Sequence, residues 1–138
     1  ILAFKDLIEA TRVHLVIDHC GIPDVAAGLD QRGFQTVLAL GRGGRASVKL
    51  SGYAKFSQSP IPHQDAWPYV RALVDAFTLD NCVWGSDWPF LRAEQRADYG
   101  PLLKLVERLF PDPADRHKVL WKTPCRLFGF GSSTKATQ

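Results

Sequence analysis

Two polar residues of the chain stand where an apolar run ends, and their types suit proton chemistry. Asp87 lies inside VWGSDWPF (83–90), and His19 follows LVID (15–18). An ionised carboxylate can accept the proton that a water molecule sheds as it attacks an acyl carbon, and an imidazole can hold that water or the carboxylate in line. Both residues are therefore candidate catalytic groups.

Simpler structural roles are also open for these two residues. An Asp at the end of a strand is common as a turn residue or a helix N-cap, because its carboxylate accepts nearby backbone N–H groups. A histidine in a loop often hydrogen-bonds only to backbone atoms. The residue types alone leave both interpretations of Asp87 and His19 open.

The apolar pattern predicts short strands that alternate with helices. Short β-rich runs bounded by turn residues predict strands at 13–18, 46–52 and 81–87. Helical spacing of apolar residues predicts helices at 2–11, 25–40, 63–77, 98–110 and 113–122. Each of the first two strands is thus joined to the next strand through a helix, which is the pattern of a βαβ unit.

This alternation predicts an α/β fold with a parallel sheet. The strand starts at 13, 46 and 81 lie 33 and 35 residues apart. A (β/α)8 barrel of about 250 residues uses about 31 residues per unit. We therefore predict a partial TIM-type barrel, made of its last three parallel strands with their helices. A doubly wound open sheet gives the same local pattern.

Strand alternation assigns the two candidates to faces of this sheet. Successive side chains of a strand point to opposite faces, so Asp87 shares its side with Val83, and Trp84 faces the helices. The same alternation places His19 on the side of Ile17. His19 and Asp87 each follow the carboxyl end of a strand, which is where ligands and catalytic groups sit in parallel α/β folds.

Composition excludes several classes of function. The 138 residues are 46% hydrophobic and 22% charged, with a net charge of +3, and the charges alternate along the chain. Such a chain predicts a soluble cytoplasmic protein with no nucleic-acid or membrane partner. The three cysteines (20, 82 and 125) have no Cys-x-x-Cys spacing, so we expect reduced, buried thiols. Since Met is absent, we expect residues 1–138 to be the downstream piece of a longer protein.

Four motifs in order give a specific resemblance. LVIDHCGIPD (15–24), VKLSGYAKFS (48–57), CVWGSDWPF (82–90) and VLWKTPCRLFGF (119–130) resemble the amidohydrolase-related hydrolases, the group that includes 2-pyrone-4,6-dicarboxylate lactonase. The resemblance implies a (β/α)8 barrel in which Asp87 is the general base that activates the hydrolytic water and His19 helps to orient it. The family also carries a His-x-His pair on its first strand, which is absent from this chain.

The resemblance also implies substrate contacts. Lys55 matches the basic residue that meets a substrate carboxylate, and Tyr53 and Trp88 are expected to contact the substrate near it. The expected partner is a small carboxylated lactone or cyclic acid. No metal ligand is assigned, although a divalent metal such as zinc stays open for the complete protein, and the oligomeric state stays unknown.

We therefore expect residues 1–130 to be the C-terminal portion of an amidohydrolase-like barrel and 131–138 to be a flexible polar tail. The expected function is hydrolysis of a lactone or similar cyclic ester or amide. Two alternatives stay open, namely a zinc-dependent decarboxylase of the same superfamily and an inactive barrel fragment. Zinc bound in stoichiometric amounts to the complete protein would favour the decarboxylase.

Overall fold

Three parallel strands form the sheet in this computed structural model, which describes residues 1, 3, 5–91 and 98–130. They are β1 (Leu15–Ile17), β2 (Ala46–Leu50) and β3 (Cys82–Trp84), and they pair in the order β1-β2-β3. Ile17 lies opposite Val48, and Val48 lies opposite Cys82. The predicted α/β class with three parallel strands is confirmed. The expected tail at 131–138 lies outside the described residues.

The first five helices of the described part of the chain follow the predicted order, and the sixth, at 123–128, was not predicted. They are α1 (Lys5–Ala10), α2 (Arg32–Arg42), α3 (Trp67–Phe77), α4 (Tyr99–Leu109), α5 (Pro113–His117) and α6 (Thr123–Phe128). A π-helical turn (Lys118–Lys122) joins the last two helices. Within the described ranges, no helix is both long and apolar enough to cross a lipid bilayer.

The predicted helix at 25–40 is two elements in the structure. Val25–Ala27 form a 3-10 turn, and Asp24 caps it by accepting a hydrogen bond from the N–H of Ala26 at 2.9 Å. Gly28 then takes a φ of 73°, which a right-handed helix does not allow, and α2 begins only at Arg32. The spacing of apolar residues did not show this break.

The core lies on one face of the sheet, under α2 and α3. Helix-facing side chains of the strands, such as Val48 and Leu50, pack with Val37 of α2 and with Leu73 and Phe77 of α3. A doubly wound sheet would carry helices on both faces, whereas a barrel wall carries them on its outer face only. Since α2 and α3 share one face and also contact each other, the structure favours the barrel.

The cysteines differ in burial. Cys20 and Cys82 are fully buried in the core, as expected, and burial raises the pKa of each thiol to about 12. Cys125 of α6 is only half-buried, so the expectation of a buried thiol is wrong at this position. All three are free thiols.

The loop between β2 and α3 is tied together by a carboxylate. The hydroxyl of Ser57 donates to Oδ1 of Asp65 at 2.5 Å, and the N–H of Gln58 donates to Oδ2 at 2.7 Å. Partial burial raises the pKa of Asp65, but these hydrogen bonds outweigh burial and hold it below its ordinary value of 3.8. The loop is therefore stabilised by the ionised form of Asp65.

Removing this charge should make the loop less stable at neutral pH. A carboxyl group whose pKa is lowered by folding adds stability above its unfolded pKa, and that stability is lost as the pH falls through the folded pKa. We expect Asp65→Asn to lower the free energy of unfolding at pH 6, with a difference that shrinks below pH 3.8. Urea titrations across this range measure it, with Asp75→Asn on the exposed side of α3 as control. A constant difference at every pH would contradict the role of the ionised form.

The packing of α2 on α3 requires a glycine at position 41. A Cβ atom there would lie 2.6 Å from Cε2 of Phe77. We expect Gly41→Ala to lower the free energy of unfolding by about 1–3 kcal/mol through overpacking. Gly33→Ala is the matched control in the same helix, because its Cβ would meet nothing within 4 Å. Equal urea midpoints for the two variants would contradict this account.

Candidate active site

Asp87 lies just past the carboxyl end of β3, at a sharp turn of the chain. Its φ is 63°, a left-handed conformation that Asp tolerates better than most residues. The N–H of Phe90 donates to the carbonyl oxygen of Asp87 at 2.7 Å and closes the turn. The side chain of Asp87 is only 13% exposed. A carboxylate in such a place needs partners, because an unpaired buried charge is costly.

His19 is one of these partners. Its Nδ1 atom lies 3.5 Å from Oδ1 of Asp87 and 3.0 Å from Oγ of Ser51. A proton on Nδ1 can be donated towards either oxygen, which leaves Nε2 outside these contacts. The imidazole is therefore fixed at one nitrogen by protein groups and has the other nitrogen for a ligand or a water molecule.

The strand alternation expected for His19 is wrong. Ile17 packs on the helix-covered face with Val48, yet His19, two residues later, reaches Asp87 instead of the helices. The reason is local, because His19 and Cys20 have φ values of 50° and 57° and turn the chain out of the strand. The alternation expected in β3 is confirmed, since Trp84 packs against the helix-side core.

The end of β2 approaches His19 so closely that only glycine fits there. Gly52 has a φ of 65°, and a Cβ atom at this position would lie 2.7 Å from Nδ1 of His19. The preceding residue, Ser51, is fully buried and makes the 3.0 Å contact with the same nitrogen. Ser51 and Gly52 therefore together fix the position of the His19 imidazole. Sequence reasoning missed both residues, although strand alternation from Lys49 points to Ser51.

Lys55 is the second partner of Asp87. It ends a 3-10 turn (Tyr53–Lys55) after β2, and its Nζ atom lies 3.0 Å from Oδ2 of Asp87. Nζ also donates to the carbonyl oxygen of Leu91, and the side chain is 14% exposed. The sequence placed Lys55 near a substrate, but the ion pair with Asp87 was not anticipated.

The other two residues predicted to contact the substrate, Tyr53 and Trp88, differ from each other in burial. Tyr53 is buried, and burial raises the pKa of its phenol well above the usual value. Its hydroxyl group has no hydrogen-bond partner among the described residues. Tyr53 lines a small depression beside Asp87, together with Phe90. Trp88 is 75% exposed, so its ring does not close over the carboxylate.

A further ion pair lies on the face of the sheet away from α2 and α3. Nζ of Lys49, in β2, is 2.5 Å from Oδ1 of Asp18, just past β1. The stem of Lys49 fits because residue 85 is glycine, where a Cβ atom would lie 3.3 Å from Cδ of Lys49. Nearby, Nε2 of His14 lies 2.9 Å from Oγ of Ser47. This face is polar, unlike the branched apolar filling common in TIM barrels.

Metal ligands are few in the described part of the chain. No group of three or more His, Cys, Asp or Glu side chains lies close enough there to hold a metal ion. His19 and Asp87 offer two ligand atoms, whereas catalytic zinc sites take three protein ligands, and Lys55 already holds one oxygen of Asp87. The described residues do not by themselves fit a zinc site, so no step below passes through a metal.

Comparisons with known proteins agree on one family. The sequence model of the amidohydrolase family matches residues 1–130. A curated relative, 4-sulfomuconolactone hydrolase of Rhizobium radiobacter, is 39% identical over 127 residues, which are 90% of this chain and 42% of the relative. The chain thus spans less than half the length of the curated relative it matches.

Solved structures give the same result for the fold. A Pseudomonas putida protein, provisionally assigned as a 2-pyrone-4,6-dicarboxylic acid hydrolase, matches with a TM-score of 0.80 at 33% identity. A similarly assigned protein of Acinetobacter baumannii, with citric acid bound, matches with a TM-score of 0.81 at 25% identity. The matches cover 92% and 94% of this chain and 48% of each structure.

These matches extend over almost the whole chain and over about half of each barrel, so the predicted partial (β/α)8 barrel is confirmed. The resemblance carried by the four sequence motifs is confirmed as well. With its strands, the family model and its relatives in agreement, the chain belongs to the amidohydrolase family.

Proposed function

We propose that the complete protein hydrolyses a lactone that carries an anionic group, with Asp87 as the general base. The observation that carries the proposal is the meeting of three strand ends on one carboxylate, with His19 at 3.5 Å and Lys55 at 3.0 Å. A base, an imidazole and a cation within one site suit hydrolysis of an anionic ester. The name of the Rhizobium radiobacter relative and the citric acid in the Acinetobacter baumannii structure support the same substrate class.

The proposed reaction consumes one water molecule and opens one ring. The carboxylate of Asp87 accepts a proton from water as the water oxygen bonds to the ring carbonyl carbon. The bond between that carbon and the ring oxygen then breaks, and the ring oxygen takes the proton from Asp87. The product is a hydroxy acid, or its keto form where the ring oxygen leaves as an enolate. His19 holds Asp87 and the water in line.

In this proposal, groups outside this chain polarise the lactone carbonyl. The family resemblance implies a His-x-His pair for this task, and the four histidines (14, 19, 63 and 117) include no such pair. In this proposal the missing half of the barrel supplies the electrophilic groups. This chain supplies the base and the cation.

The substrate contacts follow the same arrangement. Lys55 meets the anionic group of the substrate, and the ring of Tyr53 lines the depression beside Asp87 on which the lactone rests. Trp88, exposed at the turn after Asp87, contacts the outer side of the bound substrate. No particular observation favours the zinc-dependent decarboxylase, and an inactive fragment would show no turnover in the experiment that follows.

Removing the base should abolish most of the activity. We expect Asp87→Asn in the complete protein to lower kcat for 4-sulfomuconolactone or 2-pyrone-4,6-dicarboxylate by about 10²–10⁴-fold, because an amide cannot accept the proton. Loss of pyrone absorbance measures turnover, and near-ultraviolet circular dichroism checks the fold. Asp75→Asn, on the exposed side of α3, is the control. Unchanged turnover in Asp87→Asn would remove Asp87 from the mechanism.

The activity should also depend on the close approach of Gly52 to His19. We expect Gly52→Ala to lower kcat by at least about tenfold, because its Cβ atom would displace the imidazole from Asp87. Gly44→Ala is matched in backbone strain, with a φ of 66° against 65°, but its Cβ would meet nothing within 4 Å. Equal kcat values in the two variants would mean that backbone strain, not the place of His19, causes the loss.

A further inference from the structure

The ammonium group of Lys55 joins two parts of the site. Its Nζ atom lies 3.0 Å from Oδ2 of Asp87 and donates a hydrogen bond to the carbonyl oxygen of Leu91. An ammonium group has three N–H donors. These two oxygens are its polar partners among the described residues, and an ammonium group can make a further hydrogen bond to a ligand. An anion bound there would share its cation with Asp87.

The ion pair works against the reaction that Asp87 is proposed to perform. Nζ of Lys55 lies 3.0 Å from Oδ2 of Asp87 and Nδ1 of His19 lies 3.5 Å from Oδ1, so both carboxylate oxygens already have a partner. The interaction is strong here because both side chains are nearly buried, with 14% and 13% exposed, and solvent screens buried pairs poorly. In the free site, Lys55 therefore occupies an oxygen of Asp87 that a water molecule would otherwise contact.

We propose that the anionic group of the substrate activates Asp87 through Lys55, so that Lys55 determines specificity in the rate as well as in binding. This inference rests on the function proposed above. A substrate carboxylate or sulfonate on the third N–H draws the ammonium away from Oδ2 or shares its charge. Oδ2 of Asp87 then becomes available to the attacking water at the moment when a substrate is in place.

The inference separates two kinds of substrate. In a lactone with an anionic group, that group binds Lys55 and releases Asp87 from the ion pair. A neutral lactone can bind while Asp87 stays paired with Lys55. Binding energy from a part of the substrate remote from the reacting carbonyl is thereby used in the chemical step. The bonds made and broken are those of the lactone hydrolysis already described, and the anionic group is not consumed.

A free anion should therefore have opposite effects on the two kinds of lactone. In the complete protein at pH 7 and constant ionic strength, we expect acetate to raise the rate of 2-pyrone hydrolysis by about tenfold, a normal size for coupling between two ligands. Acetate should inhibit the hydrolysis of 2-pyrone-6-carboxylate competitively, because both anions need the same N–H. A salt effect alone would change both rates in the same direction.

Variants of Lys55 assign the effect to this residue. In Lys55→Met we expect neither activation nor competitive inhibition by acetate, and in Lys55→Arg we expect both to return in part. Lys122→Met is the control, because Lys122 is exposed in the π-helical turn and lies far from Lys55. Lys118 of the same turn pairs with Asp80, which lies at the end of β3 opposite to Asp87. The opposite signs in the unaltered protein test the inference even if Lys55→Met does not fold.

The outcomes separate the inference from the proposed function. Turnover of 2-pyrone-6-carboxylate without acetate activation of 2-pyrone would overturn the coupling and leave the hydrolase intact. Activation that persists in Lys55→Met would overturn the role of Lys55. No turnover of any lactone would overturn the proposed function, and the inference with it.

Discussion

The arrangement of the site depends on one nearly buried carboxylate and the charges that compensate it. Asp87 is held between the ammonium group of Lys55 and the imidazole of His19, each from a different strand end. Burial of a charge is tolerated only when partners replace its hydration. The three loops after β1, β2 and β3 are therefore coupled, because each contributes one member of the same electrostatic cluster.

Left-handed backbone at the carboxyl ends of the strands makes this convergence possible. His19, Gly52 and Asp87 have φ values of 50°, 65° and 63°, so each chain segment turns as it leaves the sheet. Such conformations cost energy for residues other than glycine, and they are common where a site requires a particular geometry. The strain at His19 and Asp87 is offset by their mutual contact and by the hydrogen bond between His19 and Ser51.

The polar face of the sheet fits the family assignment. A wall with helices on one side and His14, Lys49 and Asp18 on the other is suited to enclose a polar space once a barrel is complete. The chain spans 42% of its curated relative and 48% of each matched structure, so its site holds part of the groups that such a barrel needs. Asp87 and Lys55, the proposed base and cation, lie in this part.

The sequence by itself determined the α/β class and the three strands, because strand length, turn residues and motif order are local properties, and it predicted a catalytic role for Asp87. It also placed Lys55 and His19 at strand ends, where parallel folds carry their ligands. Only the tertiary structure decided which atoms meet. The ion pair of Lys55 with Asp87 joins residues 32 positions apart. The close approach of Gly52 to His19, where a Cβ atom would lie 2.7 Å from Nδ1, also depends on the folded chain. Strand alternation misplaced His19 because two positive φ values, which the sequence pattern does not encode, redirect the chain after β1.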